Sequence, residues 1–464
     1  MQQSVLNGVV DDVTSIISDI DGTLVHYAAV MRGLGYEPLS GEEQSLEEEA
    51  YLQKEEEEQQ QQQLQEEKGM NHTPLCTNID SSEDVVRRLL RWRYTPQARR
   101  TRFATLPMQL WRHRPSGRVL RMYELYNVTL QGALISEDTV LLLELLQNLP
   151  QVVVTDGCVL RPADSVMVTL ITGARVTTYR GRRTSGALPQ ATYEACEGGG
   201  KLWCRRRPQT AVNAPPVDAA AADRGDAVLP MLYPHDAEVP LDAVWLQRFS
   251  AVTGASASAE EAPKRGPLWE VCELVRGDGF TVDDRATTTS FFIDIANSPA
   301  VVSGGRFANA TEAEHYLIRR FETTWGPPYG VVMHVNLGKG HVHAAGCGKK
   351  EVMEYILHEC EAAAVPRCVK AHAVALFDDC NDLPFAMECG VGILPSVAHE
   401  KVLWYGGWES TTKGEAPAAT AGTAEARRRA WFRPPYDGPL GAEWALQQIL
   451  LFLMTKNKSA KEDR

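Results

Sequence analysis

The stretch Ser18-Asp19-Ile20-Asp21-Gly22-Thr23-Leu24 decides the fold of this chain. The segment 13–17, which is mostly apolar, leads into it as a buried parallel strand would. On an extended backbone, Asp19 and Asp21 point to the same side. Two acids crowded at the carboxyl end of a strand repel each other unless a cation or a shared proton resolves the conflict. Because ligands bind at that end of open α/β sheets, the stretch predicts a functional site in preference to an acidic surface turn.

The composition is that of a soluble globular protein with room for two or three domains. Of the 464 residues, 44% are hydrophobic and 23% are charged. The net charge of -13 is concentrated in residues 42–68, where 11 Glu and 2 Lys give -9 and leave -4 for the rest of the chain. This acidity argues against general affinity for nucleic acid, so we expect no nucleic-acid partner.

The ten cysteines are scattered and form no Cys-x-x-Cys pair. This usage is typical of a reducing compartment and argues against a structural zinc site. The residues before Ser18 include two acids, which is unlike a signal or transit peptide. The longest apolar run near the end, 449–454, is too short to span a membrane. We therefore expect a cytoplasmic protein with no membrane partner.

The stretch 18–24 resembles the first motif of the haloacid dehalogenase (HAD) superfamily of aspartate-nucleophile phosphatases. The resemblance implies an α/β fold, with a Rossmann-like parallel sheet, helices on both faces and an active site at the carboxyl ends of the strands. It also implies three further motifs, in order, downstream.

The second motif should stand at the end of another strand. Residues 165–172 form an apolar run of strand length that ends at Thr172-Gly173. In the family, a Thr or Ser hydroxyl at this place holds the phosphate, together with backbone N–H groups at the start of the next helix. The resemblance therefore implies phosphate binding by Thr172 and Gly173, and a catalytic role for Thr172.

The third motif should be a lysine near the start of a helix. Lys349 follows Gly346-Cys347-Gly348, and a helical pattern follows over 351–364. An ammonium group beside Asp19 would offset the charges of the carboxylate and the phosphate together. Lys349 is the candidate for this catalytic and phosphate-binding role, with Lys350 as its rival.

The fourth motif should be an acidic loop after a strand, and the apolar run 371–377 ends at Asp378-Asp379-Cys380-Asn381-Asp382. Two carboxylates at this spacing are hard oxygen ligands, which suit Mg²⁺. The resemblance implies Mg²⁺ bound by Asp19, the backbone carbonyl of Asp21, Asp378 and Asp382. Asp379 is a rival of Asp378, and Asn381 is expected to orient a neighbour of the metal and to contribute to substrate binding.

These motifs divide the chain into core segments 1–27, 126–178 and 346–464, which contain motif I, motif II, and motifs III and IV with a C-terminal helix. Residues 28–125 form an insert, of which the Glu- and Gln-rich part 42–68 cannot bury enough apolar surface to fold, so we expect disorder there. For the Arg-rich part 83–121 we expect a solvated surface, and a contact with the acidic run is the alternative. Residues 179–345 resemble the C2-type α+β cap of sucrose-phosphatase-like members, with a Glu197-Gly198-Gly199-Gly200 entry.

The resemblance implies a phosphatase for a small phosphorylated metabolite, a sugar phosphate. Asp19 would attack phosphorus to form an aspartyl-phosphate, and Asp21 would act as acid and then as base, provided that its site raises its pKa. A phosphosugar mutase of the same superfamily is one alternative, and a catalytically weak scaffold that binds through the acidic insert is another.

Three further histidines, His334, His341 and His343, lie close together in the sequence. No further ligand stands at a spacing that suits a metal site, so we interpret them as surface or cap-lining residues.

Overall fold

The computed structural model describes residues 4–51, 94–126, 132–147, 166–189, 191–204, 239–255, 264–302, 305–336, 338–362, 369–398 and 430–462, together with a few isolated positions between them. Within this part of the chain, no helix combines the length and the hydropathy needed to cross a membrane. The described strands form sheets of seven, five and four strands.

The seven-stranded sheet is the centre of the fold. Its strands are β1 (Ser15–Asp19), β7 (Met167–Ile171), β8 (Tyr193–Cys196), β9 (Lys201–Cys204), β14 (Ala373–Leu376), β15 (Val391–Ile393) and β16 (Ala430–Phe432). They follow the order β16-β15-β14-β1-β7-β8-β9, and all neighbours are parallel except β8 and β9. Side chains alternate along β1, so that Ile16 and Ile17 enter two different apolar clusters on opposite faces.

Helices cover both faces of this sheet. The Ile16 face carries α3 (Glu137–Gln147), α4 (Val176–Thr184) and α11 (Pro439–Glu462), and the Ile17 face carries α9 (Lys349–Ala362) and α10 (Leu383–Ala386). Ser136 caps α3, because its Oγ accepts a hydrogen bond from Thr139 N at 3.1 Å. The sheet and its two helical layers confirm the predicted α/β, Rossmann-like core.

The five-stranded sheet lies within and beside the insert. It consists of β2 (His26–Tyr27), β3 (Tyr36–Pro38), β4 (Met108–His113), β5 (Val119–Leu125) and β6 (Ala133–Ser136), in the antiparallel order β2-β6-β5-β4-β3. The helices α1 (Ala28–Gly33) and α2 (Pro96–Phe103) accompany it. The expectation of a solvated surface over 83–121 is therefore wrong for β4 and β5. Trp111, Leu120 and Met122 pack in one apolar cluster and Tyr123 and Leu125 in another, so these strands bury apolar side chains on both faces of the sheet.

The acidic and basic parts of the insert do touch. Residues 41–50 are helical, and the Arg112 guanidinium lies 3.3 Å from Glu43 and 3.2 Å from Glu47. These pairs are largely exposed, so each contributes little to stability. The alternative expectation, a contact between the basic stretch and the acidic run, is therefore met at Glu43 and Glu47, while most of 42–68 lies outside the described residues.

The four-stranded sheet falls in the interval expected for the cap. Its strands are β10 (Thr281–Asp283), β11 (Ser290–Asp294), β12 (Val331–Asn336) and β13 (Lys339–Ala344), in the antiparallel order β10-β11-β13-β12. The helices of this unit are α5 (Ala243–Thr253), α6 (Pro267–Gly277), α7 (Ala310–Arg320) and α8 (Gly326–Tyr329). The expected start of the cap at residue 179 is wrong for β8 and β9, because these strands pair with the core sheet.

Candidate active site

Three parallel strands bring the predicted motifs to one edge of the core sheet. β1 ends at Asp19, which stands opposite Ile171, the last residue of β7, and Ser18 stands opposite Leu376, the last residue of β14. Thr172 follows β7 directly, and Asp378 lies two residues beyond β14. Because parallel strands end at the same edge, residues 150 to 360 positions apart in sequence become neighbours.

Three carboxylates converge at this edge. Asp19, Asp378 and Asp382 are 5%, 3% and 0% exposed, and one oxygen of each lies within 4.8 Å of the others. Thr23 Oγ1 donates to Asp378 Oδ1 at 2.8 Å. Burial raises the pKa of Asp19 to about 7, against the lowering effect of Lys349, and burial followed by the charge of Asp19 raises the pKa of Asp378 well above its usual value. An all-oxygen set of acids under mutual repulsion fits a divalent cation such as Mg²⁺.

A glycine in the first motif makes this convergence possible. Gly22 has a φ of +88°, which disfavours other residues, and a Cβ atom added there would lie 1.9 Å from Asp378 Oδ2. The turn after β1 therefore needs glycine both for its backbone conformation and for the close approach of the fourth motif.

Lys349, at the start of α9, supplies the positive charge of the site. Its Nζ lies 2.7 Å from Asp19 Oδ1 and 2.6 Å from Asp382 Oδ1. Burial opposes the charged form, yet these two carboxylates raise the pKa of Lys349 above its usual value. Lys350 points elsewhere and pairs with Glu388 at 3.2 Å. Of the two rival lysines, the structure places Lys349 beside Asp19.

Asp21, the second acid of the first motif, accepts hydrogen bonds from several donors. Arg182 on α4 donates from Nη1 to Asp21 Oδ2 at 3.0 Å and from Nη2 to Oδ1 at 2.8 Å. Tyr27 OH and Thr172 Oγ1 each donate to Asp21 at 2.8 Å. Burial acts to raise the pKa of Asp21, but the charge of Arg182 and these hydrogen bonds bring that pKa below its usual value.

This environment corrects one expectation and adds a residue. The acid–base role of Asp21 required a site that raises its pKa, and the structure shows the opposite shift because a buried arginine pairs with it. Arg182 was missed in the sequence, where it is one of several basic residues in Arg180-Gly181-Arg182-Arg183. The one feature of the sequence that could have indicated its place is its position on the helix after Thr172, ten residues further along the chain.

The remaining predicted residues lie around the loop of the fourth motif and the second strand end. Asp379 accepts from Cys380 N at 2.6 Å, and Asn381 Nδ2 donates to Asp379 at 3.3 Å, so both face their own loop. Among the described residues, the Asn381 side chain makes no hydrogen bond to the three convergent acids. Gly173 follows Thr172 with open space where a Cβ would stand, and Ala174 N donates to Thr172 Oγ1 at 2.9 Å.

Two side chains of the core hold the four-stranded sheet over this edge. Glu197, after β8, accepts hydrogen bonds from Thr288 N at 3.1 Å and Thr289 N at 2.9 Å. Arg175, after the second motif, pairs with Asp283 on β10. The four-stranded unit is thus anchored beside Thr172, where it covers the strand ends.

Comparison with known proteins finds matches among solved structures. No family model and no curated protein matches the chain. A sucrose-phosphatase from Synechocystis, solved with sucrose and phosphate, is 12% identical, with a TM-score of 0.37 over 62% of this chain and 85% of that one. A haloacid dehalogenase-like hydrolase from Bacillus subtilis is 11% identical, with a TM-score of 0.26 over 50% and 63%. A HAD-superfamily phosphatase from Bacteroides thetaiotaomicron is 12% identical, with a TM-score of 0.28 over 61% and 83%.

The chain is similar to HAD-type hydrolases. At this identity and with TM-scores below 0.5, the likeness does not decide an activity. The side chains at the strand ends carry that argument.

Proposed function

We propose that this protein is a Mg²⁺-dependent phosphatase of the HAD type. Its substrate is a small phosphomonoester of the sugar-phosphate class, which it hydrolyses through an aspartyl-phosphate intermediate. The observation that carries the proposal is the buried contact of Asp19 with Lys349, set among Asp378 and Asp382 at the carboxyl end of a parallel sheet. The cysteine usage supports a cytoplasmic location as part of the same proposal.

The first half of the reaction belongs to Asp19 and Lys349. The free Asp19 oxygen attacks phosphorus, the new O–P bond forms, and the bond from phosphorus to the leaving oxygen breaks. Lys349 favours the ionised form of Asp19 in a buried site and offsets the charge on the phosphoryl oxygens. Thr172, next to Asp21, contributes a hydroxyl on the other side of the site.

Asp21 serves the proton transfers. Because it rests ionised, Asp21 takes up a proton from solvent before it gives that proton to the leaving oxygen. It then takes a proton from the water that attacks the aspartyl-phosphate, and this attack breaks the bond between Asp19 and phosphorus and restores Asp19. Arg182, Tyr27 and Thr172 fix the orientation of the carboxylate. Because these donors favour its ionised form, the resting site is prepared for the second, base-catalysed half.

Asp19, Asp378 and Asp382 are the residues that would hold Mg²⁺. When bound, the cation neutralises charge on the transferring phosphoryl group. The cation also stabilises the ionised carboxylates, because burial and then the charge of a neighbouring acid raise the pKa values of Asp19 and Asp378.

The test is hydrolysis of 4-nitrophenyl phosphate with Mg²⁺, with chelator, and with Asp19→Asn. Asn is nearly isosteric with Asp but is not a nucleophile, so we expect turnover that is lost both with chelator and in the variant. Equal turnover by the two proteins would refute the assignment of Asp19. Metal-independent turnover would refute the assignment of the acidic residues.

A further inference from the structure

The insert 28–125 is flanked by two tyrosines that meet on one side chain of the core. Tyr27, the last residue of β2, stands immediately before the insert, and Tyr126 follows β5 immediately after it. Both tyrosines accept hydrogen bonds from Arg182 on α4, the residue that pairs with Asp21. The insert therefore begins and ends beside the arginine that holds the proposed acid and base.

Arg182 is enclosed by hydrogen-bond acceptors, and its side chain is 1% exposed. Nη1 and Nη2 donate to the two carboxylate oxygens of Asp21. Nη2 also donates to Tyr27 OH at 3.2 Å, and Nε donates to the backbone carbonyl of Tyr126 at 3.4 Å. A guanidinium holds its N–H groups in one rigid plane, so the acceptor on Nε helps to set the direction in which Nη1 and Nη2 point. The Tyr126 carbonyl thus acts on Asp21 through Arg182.

The Tyr126 ring fixes the place of that carbonyl. Gly181 precedes Arg182 on α4, and a Cβ atom added to Gly181 would lie 2.7 Å from Cε1 and 2.8 Å from Cγ of the Tyr126 ring. The ring therefore lies directly on the backbone of the helix, in space that a larger residue at position 181 would occupy. Tyr126 is nevertheless 54% exposed, so the rest of its ring faces solvent.

The backbone of α4 does not itself require a glycine at position 181. Gly181 lies inside the helix and is not among the glycines with a positive φ. In the interior of a helix, alanine is favoured over glycine by about 1 kcal/mol. The close approach of the Tyr126 ring is thus the feature of the structure that accounts for glycine at this position.

We propose that Tyr126 is a positioning residue for proton transfer by Asp21, and that the two ends of the insert together hold Arg182 in the orientation that directs the Asp21 carboxylate to the leaving oxygen. This inference rests on the proposed phosphatase function. A misplacement of about 1 Å can cost a reaction about 100-fold in rate. Because Tyr27 and Thr172 still bind Asp21 when Tyr126 is lost, we expect an effect of about tenfold.

The experiment compares kcat/KM for ethyl phosphate and for 4-nitrophenyl phosphate, since kcat/KM covers the steps up to release of the leaving group. Ethoxide needs a proton to leave, whereas 4-nitrophenolate leaves as a stable anion. In Tyr126→Ala, the ratio of the ethyl to the nitrophenyl value should fall about tenfold. Tyr126→Phe keeps the ring and should keep the wild-type ratio. Leu46→Ala, at a position 67% exposed on the helical part of the insert, is the matched control.

Gly181→Ala perturbs the same contact from the other side. Its methyl group displaces the ring, so the ratio should fall as it does in Tyr126→Ala. In the double variant the ring is already absent, so we expect no further fall. Losses that multiply in the double variant would overturn the inference. Equal losses for both substrates would also overturn it, because they would indicate a general structural role, and so would a wild-type ratio in Tyr126→Ala.

Hydrogen exchange of Arg182 Nε–H makes the test independent of turnover. The ¹H–¹⁵N signal, assigned by its loss in Arg182→Gln, should exchange at least about tenfold faster in Tyr126→Ala and at the wild-type rate in Tyr126→Phe. Unchanged exchange in Tyr126→Ala would overturn the inference. Turnover of 4-nitrophenyl phosphate that Asp19→Asn abolishes keeps the proposed function whichever way the ratio and the exchange rate fall.

Discussion

Replacement of Arg182 by Gln tests the electrostatic design of the site most directly. The guanidinium is 1% exposed and makes two hydrogen bonds to Asp21, at 2.8 and 3.0 Å. Removing one partner of a fully buried pair costs about 3–5 kcal/mol, because the other charge stays behind unpaired. Asp21 is 26% exposed and keeps its bonds from Tyr27 and Thr172, so we expect the lower part of that range or less, about 2–3 kcal/mol.

The pH dependence of this loss follows from the lowered pKa of Asp21. A group whose pKa is lower in the folded state contributes stability above its unfolded pKa, about 4, and loses it as the pH falls through the folded-state pKa. Urea unfolding of the two proteins should therefore differ fully at pH 7, and the difference should shrink below pH 4. Arg319→Gln, on the exposed side of α7, should change stability by less than about 0.5 kcal/mol. An Arg182→Gln protein as stable as the wild type at pH 7 would refute the reasoning.

Three further predictions concern the other side of the site. Lys349→Met should lower kcat for 4-nitrophenyl phosphate by about 100-fold or more, and Lys350→Met, with its pair to Glu388, should change kcat less than about threefold. Gly22→Ala should destabilise the protein by more than about 2 kcal/mol in urea unfolding, because its Cβ would lie 1.9 Å from Asp378; wild-type stability would contradict this contact. With chelator, Tm should fall as the pH rises from about 4 through 7, because burial raises the pKa of Asp19 to about 7. Addition of Mg²⁺ at pH 7 should raise the Tm again. A Tm that Mg²⁺ leaves unchanged at pH 7 would count against a cation at the three acids.

The sequence predicted the parts of the fold that local patterns encode. Apolar runs that end in chemistry-bearing residues gave the positions of β1, β7 and β14, since a buried parallel strand is recognisable from a few residues. The same logic failed for β4 and β5. Arginines dominate the composition of 83–121, and β4 also pairs with β3, where Tyr36 stands opposite His113, a contact between distant parts of the chain that composition does not report.

The residues of the candidate site also fall into two groups, those that a local sequence pattern predicts and those that depend on long-range packing. Asp19, Lys349, Asp378 and Asp382 each stand at the end or start of an element, and the structure brings them together as neighbours. Arg182 lies in the last turn of α4, where a basic residue is ordinary, and its partner is 161 positions away. Its contact with Asp21 depends on the angle at which α4 packs on the sheet, which no local pattern encodes.

The two acids of the first motif, one residue apart, receive opposite environments. Burial, and then the charge of Asp382, raises the pKa of Asp19, while the charge of Arg182 and the hydrogen bonds from Arg182, Tyr27 and Thr172 lower that of Asp21 against its burial. Two carboxylates that share one strand end can carry different roles only if their surroundings separate them in this way. Asp19 thus requires added positive charge, from Lys349 and a metal, to act as an anion. Asp21 is already an anion, so its proton transfer is governed by how firmly Arg182 holds it.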